Sequence, residues 1–330
     1  MTSRAVKLKA HGVKALEVYE LVTEPKPRAS PGSVVVHMSV MPVNPSDLQP
    51  AMWTGIDLKD ITVGGEGAGV VEEVGEGVTT FSAGQRVIPI VFNRYFGGFG
   101  VWRDYVEVSE ADLIAVPEDI SDEQAGQFFI NPWLAYGIVK EINVPKGQWL
   151  VHNAAGSVAG RLIVQLAKHL GIKTICVVRR DDYKGELKAL GADEVINSST
   201  EDIVARVREF TGGKLAYGAL DPVAGATTKM IAACVQNGGE CLVYGRLSSN
   251  EVTVDLSELI RKVSVRFFMI DDHGDDLPKR KETADAVFQL LREKVFDLGV
   301  GKKFQLQEFM EAIKEAQKPG RGAEKILIVN

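Results

Sequence analysis

The stretch Asn153-Ala154-Ala155-Gly156-Ser157-Val158-Ala159-Gly160 constrains the fold of this chain more than any other. It stands between a short apolar run, Trp149-Leu150-Val151-His152, and a segment from Arg161 to Leu170 whose apolar residues recur at helical spacing. A strand that feeds a turn of small residues and then a helix brings backbone N–H groups and the positive end of the helix up to a diphosphate. Only small side chains permit that approach. The run is not a complete Gly-x-Gly-x-x-Gly, and tight strand-to-helix turns also use glycine for steric reasons alone. Context separates the two readings. The chain goes on with Thr174 to Val178 extended, a helix ending at Leu190-Gly191, and Glu194 to Ile196 extended. Glu201 to Phe210 is helical, Tyr217 to Asp221 extended, Thr227 to Val235 helical and Glu240 to Tyr244 extended. Such alternation predicts a parallel sheet covered by helices on both faces, a doubly wound α/β domain that binds a dinucleotide.

About 20 residues beyond the turn, where the second strand ends, an acidic residue favours NAD and an arginine accommodates a 2′-phosphate. This chain has Arg179-Arg180 there, followed by Asp181-Asp182. A guanidinium fork suits phosphate, so the predicted cofactor is NADPH. The alternative is a solvated basic pair at a strand end.

The first third reads as short strands separated by glycine- and proline-rich turns: Val34 to Val40, Gly69 to Val74, Gln85 to Ile90. After Arg261 come an extended Ser264 to Met269, helices around Lys279 to Phe296 and Leu306 to Ala316, and a terminal strand, Lys325 to Val329. A length of 330 residues fits two lobes. We expect a β-rich catalytic domain over 1–125, completed by 265–330 through the terminal strand, and a nucleotide-binding domain over 126–264.

A net charge of −6 supplies no positive field for nucleic acid or anionic lipid, so the expected partner is a small-molecule substrate. No apolar run approaches the roughly 20 residues that cross a bilayer. Cys176, Cys234 and Cys241 lie in apolar runs without metal-ligand or Cys-x-x-Cys spacing, which suits buried, reduced thiols. The N-terminus lacks the apolar stretch of a signal peptide, so the expected location is the cytoplasm, or the mitochondrial matrix if a leader is removed from the protein.

Four further stretches follow in order: Asn44-Pro45-Ser46-Asp47, Gly64-Gly65-Glu66-Gly67-Ala68-Gly69-Val70-Val71, Gly100-Val101-Trp102-Arg103 and Asn131-Pro132-Trp133-Leu134-Ala135-Tyr136. Together with the small-residue turn they resemble the landmarks of the medium-chain dehydrogenase/reductase superfamily, over essentially the whole chain. The resemblance implies a Rossmann domain, with its doubly wound parallel sheet, joined to a β-rich GroES-like catalytic domain that is discontinuous in sequence. Zinc alcohol dehydrogenases of that superfamily carry a Cys, a His-Glu pair and a second Cys or His at these landmarks. Here Asn44, Gly65 before Glu66, and the Asn131 region stand there, and the four-cysteine structural zinc lobe is absent. Zinc needs thiolate, imidazole or carboxylate donors, so no metal is expected.

Within the zinc-free branch, Asn-Pro-Ser-Asp at 44–47, Asn131-Pro132, Asn153-Ala154-Ala155 and Val177-Val178-Arg179-Arg180 look most like the mitochondrial-type 2-enoyl thioester reductases, with quinone oxidoreductases slightly further away. The cofactor contacts expected from the turn and the resemblance are Asn131, Asn153, Gly156, Ser157, Val158, Ala159, Gly160, Arg179, Arg180, Asp181, Tyr244, Gly245, Arg246, Leu247, Phe268, Met269, Ile270 and Lys325. Phe268 and Met269 are alternatively strand core, and Lys325 a surface charge. Asn44, Asp47, Trp53 and Thr54 are expected to line the site; Asp47 alternatively caps a helix, and Trp53 alternatively fills the lobe core. Enoyl thioester reductases usually carry a tyrosine, assigned to proton transfer, between the Asn-Pro-Ser-Asp element and the glycine-rich stretch. Residues 48–63 contain Trp53 and Thr54 but no tyrosine, so no catalytic residue is named.

The function these readings imply is zinc-independent, NADPH-dependent reduction of an activated carbon–carbon double bond, in a 2-enoyl thioester or an enone. A quinone oxidoreductase, or an NADPH-binding regulatory protein with little turnover, are the alternatives. The resemblance also implies a homodimer formed through the nucleotide-binding lobe.

Overall fold

The computed structural model describes residues 1–53, 57, 61–270, 273, 276–318 and 324–330. The chain divides into two compact units. One comprises Met1–Ile130, Asp272–Glu293 and Leu298–Asn330, the other Asn131–Asp271 and Lys294–Asp297.

The first unit holds β1 (Thr2–Leu8), β2 (Tyr19–Pro25), β3 (Ser33–Pro42), β4 (Ala68–Val74), β5 (Arg86–Pro89), β6 (Tyr105–Ser109) and β7 (Leu113–Ala115). The second holds β8 (Trp149–Asn153), β9 (Lys173–Val178), β10 (Glu194–Asn197), β11 (Ala216–Asp221), β12 (Val235–Val243) and β13 (Ser264–Phe267). The chain then returns to the first unit for β14 (Val300–Gln305) and β15 (Lys325–Val329).

In the second unit six parallel strands run in the order β10-β9-β8-β11-β12-β13. Numbered within the unit this is 3-2-1-4-5-6, and its direction of winding reverses between β8 and β11. In open sheets of this kind ligands bind outside the carboxyl ends of the strands at that reversal. Period-two alternation sorts the core: Ile175 and Val177 of β9 join the cluster under the helices Ile203–Phe210 and Ala226–Ala233. Cys176 and Val178 face the opposite cluster, with Val164 and Leu187. Both faces of the sheet are therefore covered.

Ser264–Phe267 pairs in parallel with Glu240–Val243 and so lies in the sheet of the second unit. Two element limits move. The strand expected at Glu240 begins at Val235, its β-branched start already paired with Ala216. The helix expected to reach Phe296 stops at Arg292, with Lys294 in the left-handed region at φ 55°.

The first unit is built on β3, whose Val34, Val36 and Met38 lie in its core. One edge of β3 pairs with β4; the other pairs with β6 and then with β15. The antiparallel register sets Leu327 opposite Pro42, and the Val43 N–H donates to the Ile326 carbonyl at 2.9 Å. Continuing that register brings Lys325, from near the end of the chain, opposite Asn44.

Candidate functional site

In the second unit the small-residue turn leaves the carboxyl end of β8. Asn153 shapes it: its Oδ1 accepts the Ala154 N–H at 2.8 Å, and its Nδ2 donates to Asp221 Oδ1 at 2.9 Å. Asp221 ends β11, across the sheet reversal, and accepts from the Thr228 hydroxyl at 2.8 Å. Ala154 takes φ 50°, the left-handed region that a short side chain must tolerate here. Ser157 caps the helix Val158–Leu170 by accepting the Gly160 N–H at 3.1 Å. The first helical N–H groups have no intrahelical acceptor and point out of the turn. At Gly160 a Cβ would lie 2.6 Å from the Ala155 carbonyl oxygen, so a side chain there would push the helix off the turn.

Two residues outside the expected set support this turn. Buried Arg161 donates from Nε to the Gly156 carbonyl at 3.0 Å and from Nη2 to Glu186 at 2.8 Å. Tyr183 lays its ring where a Cβ on Gly156 would come within 3.0 Å, and the Arg161 and Arg180 guanidinium groups lie 5.7 and 5.3 Å from its centroid. An arginine at helical spacing after the glycine run was a visible sign for the first; nothing local marked the second.

At the end of β9, Arg179 and Arg180 are both exposed. Arg180 donates to the Tyr183 hydroxyl at 2.6 Å and lies 3.7 Å from Asp182. Arg179 has no ion pair among the described residues. Asp181 is paired with Lys184 at 2.9 Å, which holds its carboxyl below the usual carboxylate range. Asp181, next to the arginine pair in sequence, is thus already neutralised by Lys184, while Asp182 faces Arg180.

Apart from Asn131, the remaining expected contacts in this unit follow the carboxyl ends of β12 and β13. Tyr244 to Leu247 follow β12, and Leu247 is exposed. Gly245 packs so closely that a Cβ would meet the Pro222 carbonyl oxygen at 2.4 Å. Arg246 is exposed, 3.4 Å from the Asn250 carboxamide. The Tyr244 hydroxyl meets His152 Nε2 at 2.8 Å, and burial pushes the imidazole down to about 3, so the ring is neutral. Phe268 to Ile270 follow β13, with Phe268 half-buried, Met269 exposed and Ile270 buried, which is not the pattern of plain strand core. Asn131 is buried in the irregular helical turn Phe129–Trp133.

In the first unit a cluster of buried polar side chains surrounds Asn44. Lys325 Nζ donates to Asn44 Oδ1 at 2.5 Å, and Asn44 Nδ2 donates to Glu66 Oε1 at 2.9 Å. Glu66 Oε2 accepts the N–H groups of Phe129 at 3.0 Å and Ile130 at 2.7 Å. Asp47 accepts the Asn44 N–H at 2.8 Å, the Gly65 N–H at 3.0 Å and the Tyr95 hydroxyl at 2.9 Å, and the Tyr19 hydroxyl donates to its carbonyl at 2.6 Å. Burial pushes Asp47 up to about 6 and Glu66 up to about 7, against the N–H and O–H donors and the Lys325 charge that pull both down. Asp47 does cap the short turn Pro45–Leu48, and it also ties that turn to Gly65 and Tyr95. Lys325, weighed as a surface charge, is only 2% exposed. Trp53 ends the turn Pro50–Trp53, its side chain and all of Thr54 lying outside the described residues.

This donor set does not fit zinc. It offers a carboxamide and carboxylates whose oxygens are already taken by N–H and O–H donors, with an ammonium supplying the positive charge. Among the described residues no group of three or more His, Cys, Asp or Glu side chains could hold a metal ion. The carboxyl edge of the second unit does fit an anionic dinucleotide: a helix N-terminus, a turn without bulk and two exposed arginines. Among the described residues no helix is long and apolar enough to cross a membrane.

Family models match parts of both units. A family model described as an alcohol dehydrogenase GroES-like domain matches residues 30–118, and one described as a zinc-binding dehydrogenase matches residues 159–279. A mitochondrial enoyl-[acyl-carrier-protein] reductase of Dictyostelium discoideum is 32% identical over 345 aligned positions, covering 99% of this chain and 95% of that protein. The solved structure of Pseudomonas syringae pv. tomato quinone oxidoreductase superposes with a TM-score of 0.89 at 26% identity, covering 99% of this chain and 100% of the other. Escherichia coli quinone oxidoreductase complexed with NADPH shares the fold, with a TM-score of 0.85 at 23% identity over 99% of this chain and 100% of the other.

Proposed function

The chain belongs to the medium-chain dehydrogenase/reductase superfamily, in its zinc-free branch, and we propose that it is an NADPH-dependent reductase of activated carbon–carbon double bonds, those of 2-enoyl thioesters or enones. The observation that carries this reading is the edge where a small-residue turn, closed to any side chain at Gly160, lies one strand from two exposed arginines. The backbone from Gly156 to Gly160 would hold the diphosphate, and Arg179 and Arg180 the 2′-phosphate. Tyr244 to Leu247, Phe268 to Ile270, Asn131 and Lys325 would complete the cofactor contacts. Asn153 would hold the turn in shape.

The reduced nicotinamide supplies the hydride. What the protein must add is orientation, a dry surface and a hydrogen-bond donor for the substrate oxygen on which charge develops. Asn44, Asp47, Trp53 and Thr54 are proposed to line that region. Tyr95 lies too deep to serve as that donor, since its phenol is fully buried, held on Asp47, and pushed well above its ordinary range by that burial. The proton that completes the reduction is therefore not assigned to it.

Quinone reduction is the second reading, favoured by the absence of a tyrosine from residues 48–63 and by the likeness to the Pseudomonas enzyme. Following NADPH absorbance with a crotonyl thioester, a benzoquinone and a small enone separates these readings. Turnover of the thioester or enone supports the proposal, and turnover of the quinone alone supports the second reading. Tight NADPH binding without turnover of any of the three would leave a regulatory binder.

A homodimer through the nucleotide-binding unit is proposed on a local feature as well as on resemblance. β13 is an edge strand, and Leu256, Leu259, Ile260 and Phe267 beside it or on it are all at least half exposed. The proposed location is the cytoplasm, where the three buried free thiols stay reduced, with the mitochondrial matrix as the alternative that the relatives' names support.

A further inference from the structure

We infer that Glu66 is a positioning residue: its buried carboxylate, oriented by the Lys325–Asn44 pair, fixes the start of the helical segment that begins at Phe129 and carries Asn131. The inference rests on the proposed cofactor role of Asn131 for its functional consequence, but not for its geometry.

The physical reason lies in the backbone at 129–133. The preceding helix ends at Gly126, and a new helical run continues through Leu134–Ile142. Its first N–H groups have no helical carbonyl to meet, and Pro132, which has no N–H, falls within the first turn where that loss is tolerated. Both N–H groups at the start, Phe129 and Ile130, donate to one oxygen of Glu66, 63 and 64 residues away in sequence. An anion at a helix N-terminus is also favoured by the helix dipole. Glu66 therefore fixes the first two amides of the segment Phe129–Trp133, in which Asn131 lies.

Glutamine cannot substitute, although it has the same shape, because the hydrogen bonds have a direction. Lys325 can only donate, so Asn44 must turn Oδ1 toward it and Nδ2 toward Glu66. The group at 66 must then accept on both ends, from Asn44 and from the backbone. In Glu66→Gln the amide oxygen can keep the backbone N–H groups, but its NH₂ then faces the Asn44 NH₂. Flipping Asn44 relieves that clash only by setting its NH₂ against the Lys325 ammonium. Asn44→Asp fails for the opposite reason, since two carboxylates then face each other. The double variant Asn44→Asp with Glu66→Gln moves the carboxylate by one link and restores each of these donor–acceptor pairs, with Lys325 and the net charge unchanged.

The test is this four-member set: the unaltered protein, E66Q, N44D and the double variant. It reads amide hydrogen exchange at Phe129 and Ile130, thermal midpoint, NADPH affinity by calorimetry, and kcat at saturating NADPH. Each single variant should speed exchange at the two amides about tenfold or more and weaken NADPH about tenfold, and in E66Q, whose side chain is not proposed to line the site, kcat should change by less than about threefold. The double variant should return exchange and affinity to within about threefold of the unaltered protein. Additive losses in the double variant, or unchanged exchange in E66Q, would overturn the inference. If the unaltered protein binds no NADPH, the proposed function fails, while exchange and thermal midpoint still decide the role of Glu66.

Discussion

Replacing Gly160 with alanine tests the nucleotide half of the site at its tightest point. The new methyl would lie 2.6 Å from the Ala155 carbonyl oxygen and 2.8 Å from the Ala155 C and Cα atoms. All three are backbone atoms of the turn itself, so no side chain can swing aside. Reaching 3.4 Å, where ordinary contact begins, requires the turn and the helix start to part by about 0.8 Å. Overpacking of this kind costs about 1 to 3 kcal/mol of stability. The same displacement spoils the N–H groups proposed to meet the diphosphate, and losing one charge-assisted hydrogen bond of about 1.5 to 3 kcal/mol weakens binding by at least tenfold. Gly185 is the internal control. It lies in the helix Lys184–Leu190 with open space around its Cβ position, so alanine there should raise stability by about 0.5 to 1 kcal/mol and leave NADPH affinity alone. Urea unfolding and calorimetry read both effects. If G160A lowers stability but binds NADPH as tightly as the unaltered chain, the diphosphate is held elsewhere. If it changes neither, the close approach itself is wrong.

Three further outcomes follow from the geometry. Replacing Arg179 and Arg180 together with alanine should weaken NADPH far more than NADH, by about 1.5 to 3 kcal/mol for each charge-assisted bond lost, and an unchanged preference in calorimetry would sink the 2′-phosphate assignment. Activity should survive exhaustive chelation, and elemental analysis should find no stoichiometric zinc, because the oxygens around Asn44 are already taken by N–H and O–H donors and Lys325; one tightly held zinc per chain would refute this. Glu66 stands at about 7 in the folded protein against an ordinary 4.5, so its contribution to stability is fully present below about pH 4.5 and is lost as pH rises through 7. Urea midpoints should therefore show the unaltered protein losing ground to E66Q between pH 5 and 8, by an amount on the order of 3 kcal/mol, and a pH-independent difference would contradict a buried carboxylate there.

The nucleotide-binding half was legible because its chemistry is local. Asn153 to Gly160 are consecutive, and the periodicity around them was enough to set a parallel sheet with this turn at the end of its first strand. Elsewhere neighbours decided: Ser264–Phe267 is a polar-interrupted run that joins the sheet only because β12 offers it an edge. Arg161 and Tyr183 were missed for the same reason in reverse, since a buried arginine bonded to a backbone carbonyl has no sequence signature apart from the turn it supports.

The other half could not be read this way, because each of its contacts closes a long loop. Lys325 meets Asn44 across 281 residues, Glu66 meets Ile130 across 64, and Tyr95 meets Asp47 across 48. Letters at landmark positions showed which ligands were missing but not what took their place. Once the partners are known, the substitution has a logic of its own. A metal ion accepts electron pairs from every direction and leaves its ligands free to be any donors of the right softness, whereas a tethered ammonium only donates hydrogen bonds and so dictates the polarity of everything downstream. With Lys325 in place, the residue at 44 needs an acceptor facing the ammonium and a donor facing 66, and asparagine meets both demands. The residue at 66 must then accept at both ends, and a carboxylate is the side chain that does so. The register of β15 against β3 is thus what makes Asn44 and Glu66 chemically necessary, and shifting that strand by one residue would turn Lys325 to the other face and leave two carboxylates buried without a cation.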